Sequence, residues 1–153
     1  MTMEDKVIVI SGEQTKIENH AYRGREMRHL IISAKISEIG HYAFKQCPSL
    51  HTVELPDSLE IIYSNAFAEC TSLKNINIPN SVREIWQGAF AGCESLESIR
   101  FPDAMVICGF YCLLPRCTSL THVSLPISLI EHGYKEPMKR HDIHPLHSIE
   151  IRL

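Results

Sequence analysis

The sequence predicts a β-rich solenoid, in which the chain winds into stacked coils of one repeat each. Three observations predict it. Leu50, Leu73 and Leu96 open near-identical phrases 23 residues apart. Each phrase carries an alternating apolar run that ends on proline: Val53-x-Leu55-Pro56, Ile76-x-Ile78-Pro79 and Ile99-x-Phe101-Pro102. The first two phrases then close on Ala66-Phe67 with Cys70 and Ala89-Phe90 with Cys93, while the third is degraded and its Cys117 falls one residue late. A fixed period in the twenties is what a chain shows when every repeat adds one coil.

Extending the register gives one domain over residues 1–153, built from six coils and a closing strand. The coils span about 5–26, 27–49, 50–72, 73–95, 96–119 and 120–145, and the strand spans 146–153. Coil one holds Ile8, Ile10, Ile17 and Ala21-Tyr22; coil two holds Leu30, Ile32, Ile39, Ala43-Phe44 and Cys47. The sixth coil keeps Val123, Leu125-Pro126 and Ser128-Leu129, then drifts into a basic, His-rich stretch.

Each element follows from local chemistry. In Leu-x-x-Ile-x-Ile, residues four and six of the phrase face the core and residues three and five face out. Pro56, Pro79, Pro102 and Pro126 lack an N–H and turn the chain out of the ladder. Asp57-Ser58 and Asn80-Ser81 supply the turn. A second short apolar run follows (59–62, 82–85), and the tight Ala-Phe stretch is expected to form a single helical or 3₁₀ turn. One coil alone buries too few apolar side chains to offset the entropy of ordering its backbone, so the stack must fold together.

The phrase Leu-x-x-Ile-x-Ile-Pro-x-Ser-Val…Ile-Gly-x-x-Ala-Phe-x-x-Cys resembles the BspA-like leucine-rich repeat, found in bacterial surface proteins and many protist proteins. The resemblance covers about Ile8 to Leu129 and is best in coils three and four. It implies a right-handed leucine-rich-repeat solenoid and a protein-recognition role, with no particular partner. The sequence departs from the pattern where the repeat has Gly, kept at Gly40 and Gly109 but replaced by Tyr63 and Trp86, and where Ala-Phe becomes Cys112-Leu113.

Composition excludes several classes. A net charge of −3, with 44% hydrophobic and 22% charged residues, gives no basic footprint for nucleic acid. The cluster Lys135 to Arg140 is short, and Pro137 and Glu136 interrupt it, which reads as a solvated loop. No stretch approaches a membrane span. Glu4 and Asp5 stand at the start and the apolar run Val7–Ile10 is too short for a signal core, so a cytoplasmic location is expected, or the cell surface if a leader was removed.

No catalytic or cofactor site is expected. Acid–base pairs such as Glu54 with His122 lack a concave pocket, and there is no Gly-rich phosphate loop or nucleophile elbow. Cys47, Cys70 and Cys93, with Cys117 displaced by one, should stack as buried free thiols. Cys108 counts to the position of Ile39, Ile62 and Ile85, and Cys112 replaces the repeated Ala. The Cys108-x₃-Cys112-x₄-Cys117 spacing is only a weak match to zinc knuckles. His132, His141, His144 and His147 form a sharper metal candidate, yet Pro145 removes His144 from helical geometry and the favoured reading is an irregular cap over the last coil, as solenoid ends usually degenerate. No metal site is assigned.

What remains is surface. The outward stripe of the main sheet is His29, Ile31, Thr52, Glu54, Asn75, Asn77, Ser98, Arg100, His122, Ser124, Ser148 and Glu150. It is polar and free of large aromatic side chains, as a plain solvated face would be. On the opposite side Tyr63 and Trp86 share one repeat position on successive coils and should lie side by side, either shielding the sheet or anchoring a partner. The residues expected to meet a protein partner are Tyr63, Trp86, Glu54, Asn77, Arg100 and His122. The competing reading is a self-assembling scaffold: Val7 and Val9 beside Ile31, and the restarted strand at Leu146–Leu153, invite weak pairing of terminal strands.

Overall fold

The computed structural model describes residues 6–108, 114–126 and 148–152. In coil order the strands are β1 (Val7–Ile10), β2 (Lys16–Ile17), β3 (His29–Ile32), β4 (Glu38–Ile39), β5 (Thr52–Glu54), β6 (Ile61–Ile62), β7 (Asn75–Asn77), β8 (Glu84–Trp86), β9 (Ser98–Arg100), β10 (Val106–Cys108), β11 (His122–Pro126) and β12 (Ser148–Arg152). Odd-numbered strands up to β11, with β12, make the first wall; even-numbered strands from β2 to β10 make the second. Every pairing is parallel. Five coils carry both strands among the described residues, and β11 and β12 extend the first wall beyond them.

The repeat register sets the pairing. Leu30 lies opposite Val53, Ile76 opposite Ile99, and Val123 opposite both Ile99 and Ile149. The second wall is one ladder, β2-β4-β6-β8-β10. The first is hydrogen-bonded in two parts, β1-β3-β5 and β7-β9-β11-β12, with β5 and β7 side by side at the join. The Ser58 hydroxyl donates to the Ile36 carbonyl one coil back at 2.9 Å, whereas the buried Ser81 hydroxyl, at the same repeat position across that join, has no partner.

The Ala-Phe stretch is not helical; no helix occurs among the described residues. Instead it forms consecutive tight turns, Ala43 N–H to Gly40 C=O and Lys45 N–H to Tyr42 C=O. Tyr42, the third residue of the first turn, has φ of 58°, as in a type II turn, and Gln46, just past the second turn, has φ of 62°. This conformation wins because it aims alternate N–H groups at the next coil. Tyr42, Phe44 and Gln46 donate to the carbonyls of Ser64, Ala66 and Ala68, and Asn65, Phe67 and Glu69 repeat the pattern onto Gln87, Ala89 and Ala91. A helical turn would direct those groups along its own axis and leave the coils unlinked.

The core sits between the walls and this turn stack. Tyr22, Phe44, Phe67 and Phe90 form a column of parallel rings with centroids 5.2, 5.2 and 5.7 Å apart. Ala43, Ala66 and Ala89 are fully buried, as expected, but Ala21 in the first coil is exposed. Coil one lies at the outside of the described stack, so its small residue has only one neighbouring coil.

Two further details differ from the sequence reading. Ile107, not Cys108, is the register partner of Ile85, and Cys108 pairs with Trp86. Coil five is one residue shorter before β10, which puts isoleucine in line with Ile39, Ile62 and Ile85. Pro126 also remains in the ladder as the last residue of β11, opposite Arg152, where the turn out of the ladder was expected to begin. A parallel ladder uses alternate residues for donation, so a proline is tolerated at the strand's last position.

Candidate functional site

The outward stripe of the first wall is assembled as the repeat register demands. Asn77 lies opposite Arg100, Ser98 opposite His122, and Glu54 opposite Ile31. Glu54, Asn77, Arg100 and His122 are all exposed. Contacts along the stripe are local: His29 Nδ1 with Thr52 Oγ1 at 2.6 Å, Ser98 Oγ donating to Asn75 Oδ1 at 3.3 Å, and His122 Nδ1 with Thr121 Oγ1 at 2.8 Å. Arg100 reaches Asp103 at 3.9 Å, an exposed ion pair of the kind that contributes little. The stripe is a shallow polar surface with no concentrated chemistry.

The second wall differs. Tyr63 and Trp86 do lie side by side, ring centroids 5.5 Å apart and tilted by 48°. His41 joins them, 4.9 Å from Tyr63 and 6.2 Å from Trp86, edge-on to the indole. Gly40 makes this arrangement. A Cβ there would stand 2.6 Å from Asn19 Oδ1 and 2.7 Å from the Ile17 carbonyl, so only glycine fits and the place beside Tyr63 is left to the next residue's ring. Tyr42 follows, tilted against His41 at 6.5 Å and stacked on His20 at 4.9 Å, with the Lys45 ammonium 5.7 Å above its ring. Sequence reasoning found Tyr63 and Trp86 but missed His41, Tyr42 and His20. They occupy other repeat positions; the legible signal was His41-Tyr42 directly after a glycine where neighbouring coils carry rings.

Carboxylates frame these rings. Trp86 Nε1 donates to Glu84 Oε2 at 3.1 Å. Burial pushes the Tyr63 hydroxyl above the usual phenol range, and the Glu38 and Glu84 carboxylates push it further. Lys16, opposite Glu38 in the ladder, is held by Glu18 at 3.2 Å. The six residues expected to meet a partner therefore form two groups on two different sheets: Tyr63 with Trp86, and Glu54, Asn77, Arg100 and His122.

The cysteine column is structural. Cys47, Cys70, Cys93 and Cys117 are buried free thiols, and each S–H donates to the carbonyl of the aromatic residue one coil back: Tyr22, Phe44, Phe67 and Phe90, at 3.2–3.3 Å. Those carbonyls point inward because the flanking ones serve the turn ladder. Cysteine gives a small apolar side chain and a weak donor at once. Burial pushes the Cys117 thiol up to about 12 and the Cys93 thiol higher. Cys70 is raised by its hydrogen bond with Cys47 and by burial, while Cys47 is drawn down by the Cys70 contact. Thiols held neutral inside a core are poor nucleophiles. No cluster of metal-ligating side chains occurs among the described residues; His132, His141, His144, His147, Cys112 and the 135–140 basic cluster lie outside them.

The BspA type leucine rich repeat region matches residues 8–135 in six copies. The chain belongs to this family. Among solved structures, the BspA-type chain is similar to a leucine rich repeat protein of T. pallidum, 26% identical with a TM-score of 0.72 over 80% of this chain and 59% of that one. It is also similar to a leucine rich cell surface protein of Faecalibacterium prausnitzii, 31% identical, TM-score 0.69, over 78% of this chain and 32% of that one. A leucine-rich repeat protein of Bacteroides ovatus is 25% identical, TM-score 0.68, over 97% of this chain and 42% of that one. The chain thus spans between 32% and 59% of the length of these structures. No curated protein sequence matches it. No helix among the described residues is long and apolar enough to cross a membrane.

Proposed function

We propose that this BspA-type repeat is a non-catalytic protein-recognition module whose main contact surface is the ring cluster of the second wall. The observation that carries the reading is that Tyr63, Trp86, His41 and Tyr42 gather half-buried on one outer surface, while Phe44, Phe67, Phe90 and Phe101 are buried. Large amphipathic rings in a half-desolvated group are where binding energy concentrates, and truncating one such anchor costs at least about 2 kcal/mol, on the order of thirtyfold in affinity. The polar stripe with Glu54, Asn77, Arg100 and His122 then acts as surrounding surface.

Affinity capture from native lysate tests this with three baits: wild type, Tyr63→Ala with Trp86→Ala, and Glu54→Ala with Arg100→Ala. A protein retained by wild type and by the stripe variant, but lost from the ring variant, is the expected result. Equal retention by the ring variant refutes the assignment.

A second reading is self-association through an end of the first wall. Val7 and Val9 are 47% and 56% exposed, with Val9 opposite half-buried Ile31. Within this chain β1 and β12 are the outer strands, and open edges pair readily. Light scattering over a wide concentration range, with Val9→Lys and Ile149→Lys, separates the two: mass that rises with concentration and falls in either variant supports it.

A further inference from the structure

The ring cluster on the second wall has a definite electrostatic character. The polar edges of both large rings face carboxylates: the Trp86 indole N–H donates to Glu84 at 3.1 Å, and the Glu38 carboxylate lies near enough to the Tyr63 hydroxyl to hold its proton. A carboxylate accepting from a ring's N–H or O–H raises the electron density of its π face. That strengthens the quadrupole attraction on which cation–π binding depends. Among the described residues neither Glu38 nor Glu84 carries an ion pair, and the nearby Lys16 is already held by Glu18. The neighbouring coil shows the same chemistry within the molecule: the Lys45 ammonium sits 5.7 Å from the Tyr42 centroid and 3.1 Å from Glu69. An anionic partner would meet two carboxylates on this surface, and an apolar one would bury them.

We infer that Tyr63, Trp86 and His41, framed by Glu38 and Glu84, receive a cationic side chain, a lysine or arginine of a basic partner segment. The inference rests on the recognition reading above and adds the chemistry of the partner. A basic side chain laid against the indole meets the π face and the Glu84 carboxylate together, the pairing of ring and acid that Lys45 already makes with Tyr42 and Glu69.

Trp86 is the sole tryptophan of the chain, so its emission reports this surface directly. The probes are an oligo-lysine peptide, its fully Nε-acetylated form and an oligo-glutamate peptide. Oligo-lysine should change Trp86 emission saturably, with a Kd on the order of a millimolar that weakens with added salt. The other two peptides should leave it unchanged. Glu38→Gln with Glu84→Gln, which keeps an amide oxygen as acceptor beside each ring and removes the charge, should weaken binding about tenfold. Glu13→Gln with Glu97→Gln, the same charge change elsewhere, should keep affinity within about twofold. Absence of a saturable change, equal binding of the acetylated peptide, or equal weakening by both variant pairs overturns the inference. If oligo-lysine fails while native capture still depends on Trp86, the cationic assignment falls and recognition stands. If oligo-lysine binds as described while native capture ignores Trp86, the cation site stands and the capture reading falls.

Discussion

Replacing Phe67 by alanine removes the ring at the centre of the stacked column. Phe67 is fully buried, 5.2 Å from Phe44 on one side and 5.7 Å from Phe90 on the other, at 10° and 5° between planes. A buried Phe→Ala change costs about 3–5 kcal/mol, and each ring pair adds about 0.5–1.5 kcal/mol beyond area. With a neighbour on both faces the loss belongs at the top of that range, about 5 kcal/mol. Tyr22, at the end of the column, is half-buried and stacks on Phe44 alone among these rings, so Tyr22→Ala should cost roughly 2 kcal/mol. Phe67→Leu keeps a large apolar side chain but loses both ring pairs, and should cost an intermediate amount, about 1–3 kcal/mol. Urea unfolding followed by Trp86 emission and far-ultraviolet circular dichroism measures all three. The two probes must coincide, because stacked repeats can unfold in parts. A Phe67→Ala protein no less stable than Tyr22→Ala would refute the idea that the column is a central source of inter-coil stability.

Three further outcomes follow from single residues. Ala89 is fully buried beside Phe90, so Ala89→Glu places a lone carboxylate in the core and should cost several kcal/mol, read as collapse of the thermal transition; melting within about a degree of wild type would contradict the register. Gly40→Ala drives a Cβ against the Asn19 and Ile17 backbone, whereas Gly24→Ala meets nothing within 4 Å and strains only its φ of +69°. Thermal melting should therefore show the larger loss at Gly40, with Gly24 limited to about 1–2 kcal/mol. The Cys70, Cys93 and Cys117 thiols are held neutral in the fold, their pKa raised above the unfolded value near 8.5. Above that pH the unfolded chain ionises first and holds fewer protons, so stability present below about pH 8.5 falls as pH rises toward the folded values. Each raised thiol contributes a slope of up to about 1.4 kcal/mol per pH unit. Urea midpoints across this range should show the decline, and Cys93→Ala should make it shallower; maleimide should label these three thiols only after unfolding.

Inter-coil contacts in a solenoid repeat at one sequence offset, which is why so much of this fold was readable. Leu30, Val53, Ile76, Ile99 and Val123 mark a wall because each lies one repeat from the next, and the buried cysteines announce themselves the same way. Tyr63 and Trp86 were legible as neighbours for that reason. His41 was not, because it reaches Tyr63 from a different repeat position, one residue after a glycine that crowding by Asn19 and Ile17 requires. Counting from Leu96 likewise put Cys108 in the isoleucine row, since a count carries no sign of the residue that coil five drops before β10.

The sequence by itself determined the period, the inward letters and membership of the repeat family, all of them properties of one coil repeated. Tertiary structure decided what depends on two coils meeting. It chose left-handed turn residues over a helical turn, because Tyr42, Phe44 and Gln46 bond the carbonyls of the next coil. It gave Cys70, Cys93 and Cys117 a carbonyl to satisfy. It also drew His41, Tyr63 and Trp86 together beside Glu38 and Glu84. Propensity and pattern report what one stretch of chain prefers, whereas hydrogen bonds between coils and side chains converging from unequal repeat positions arise only once the stack has closed.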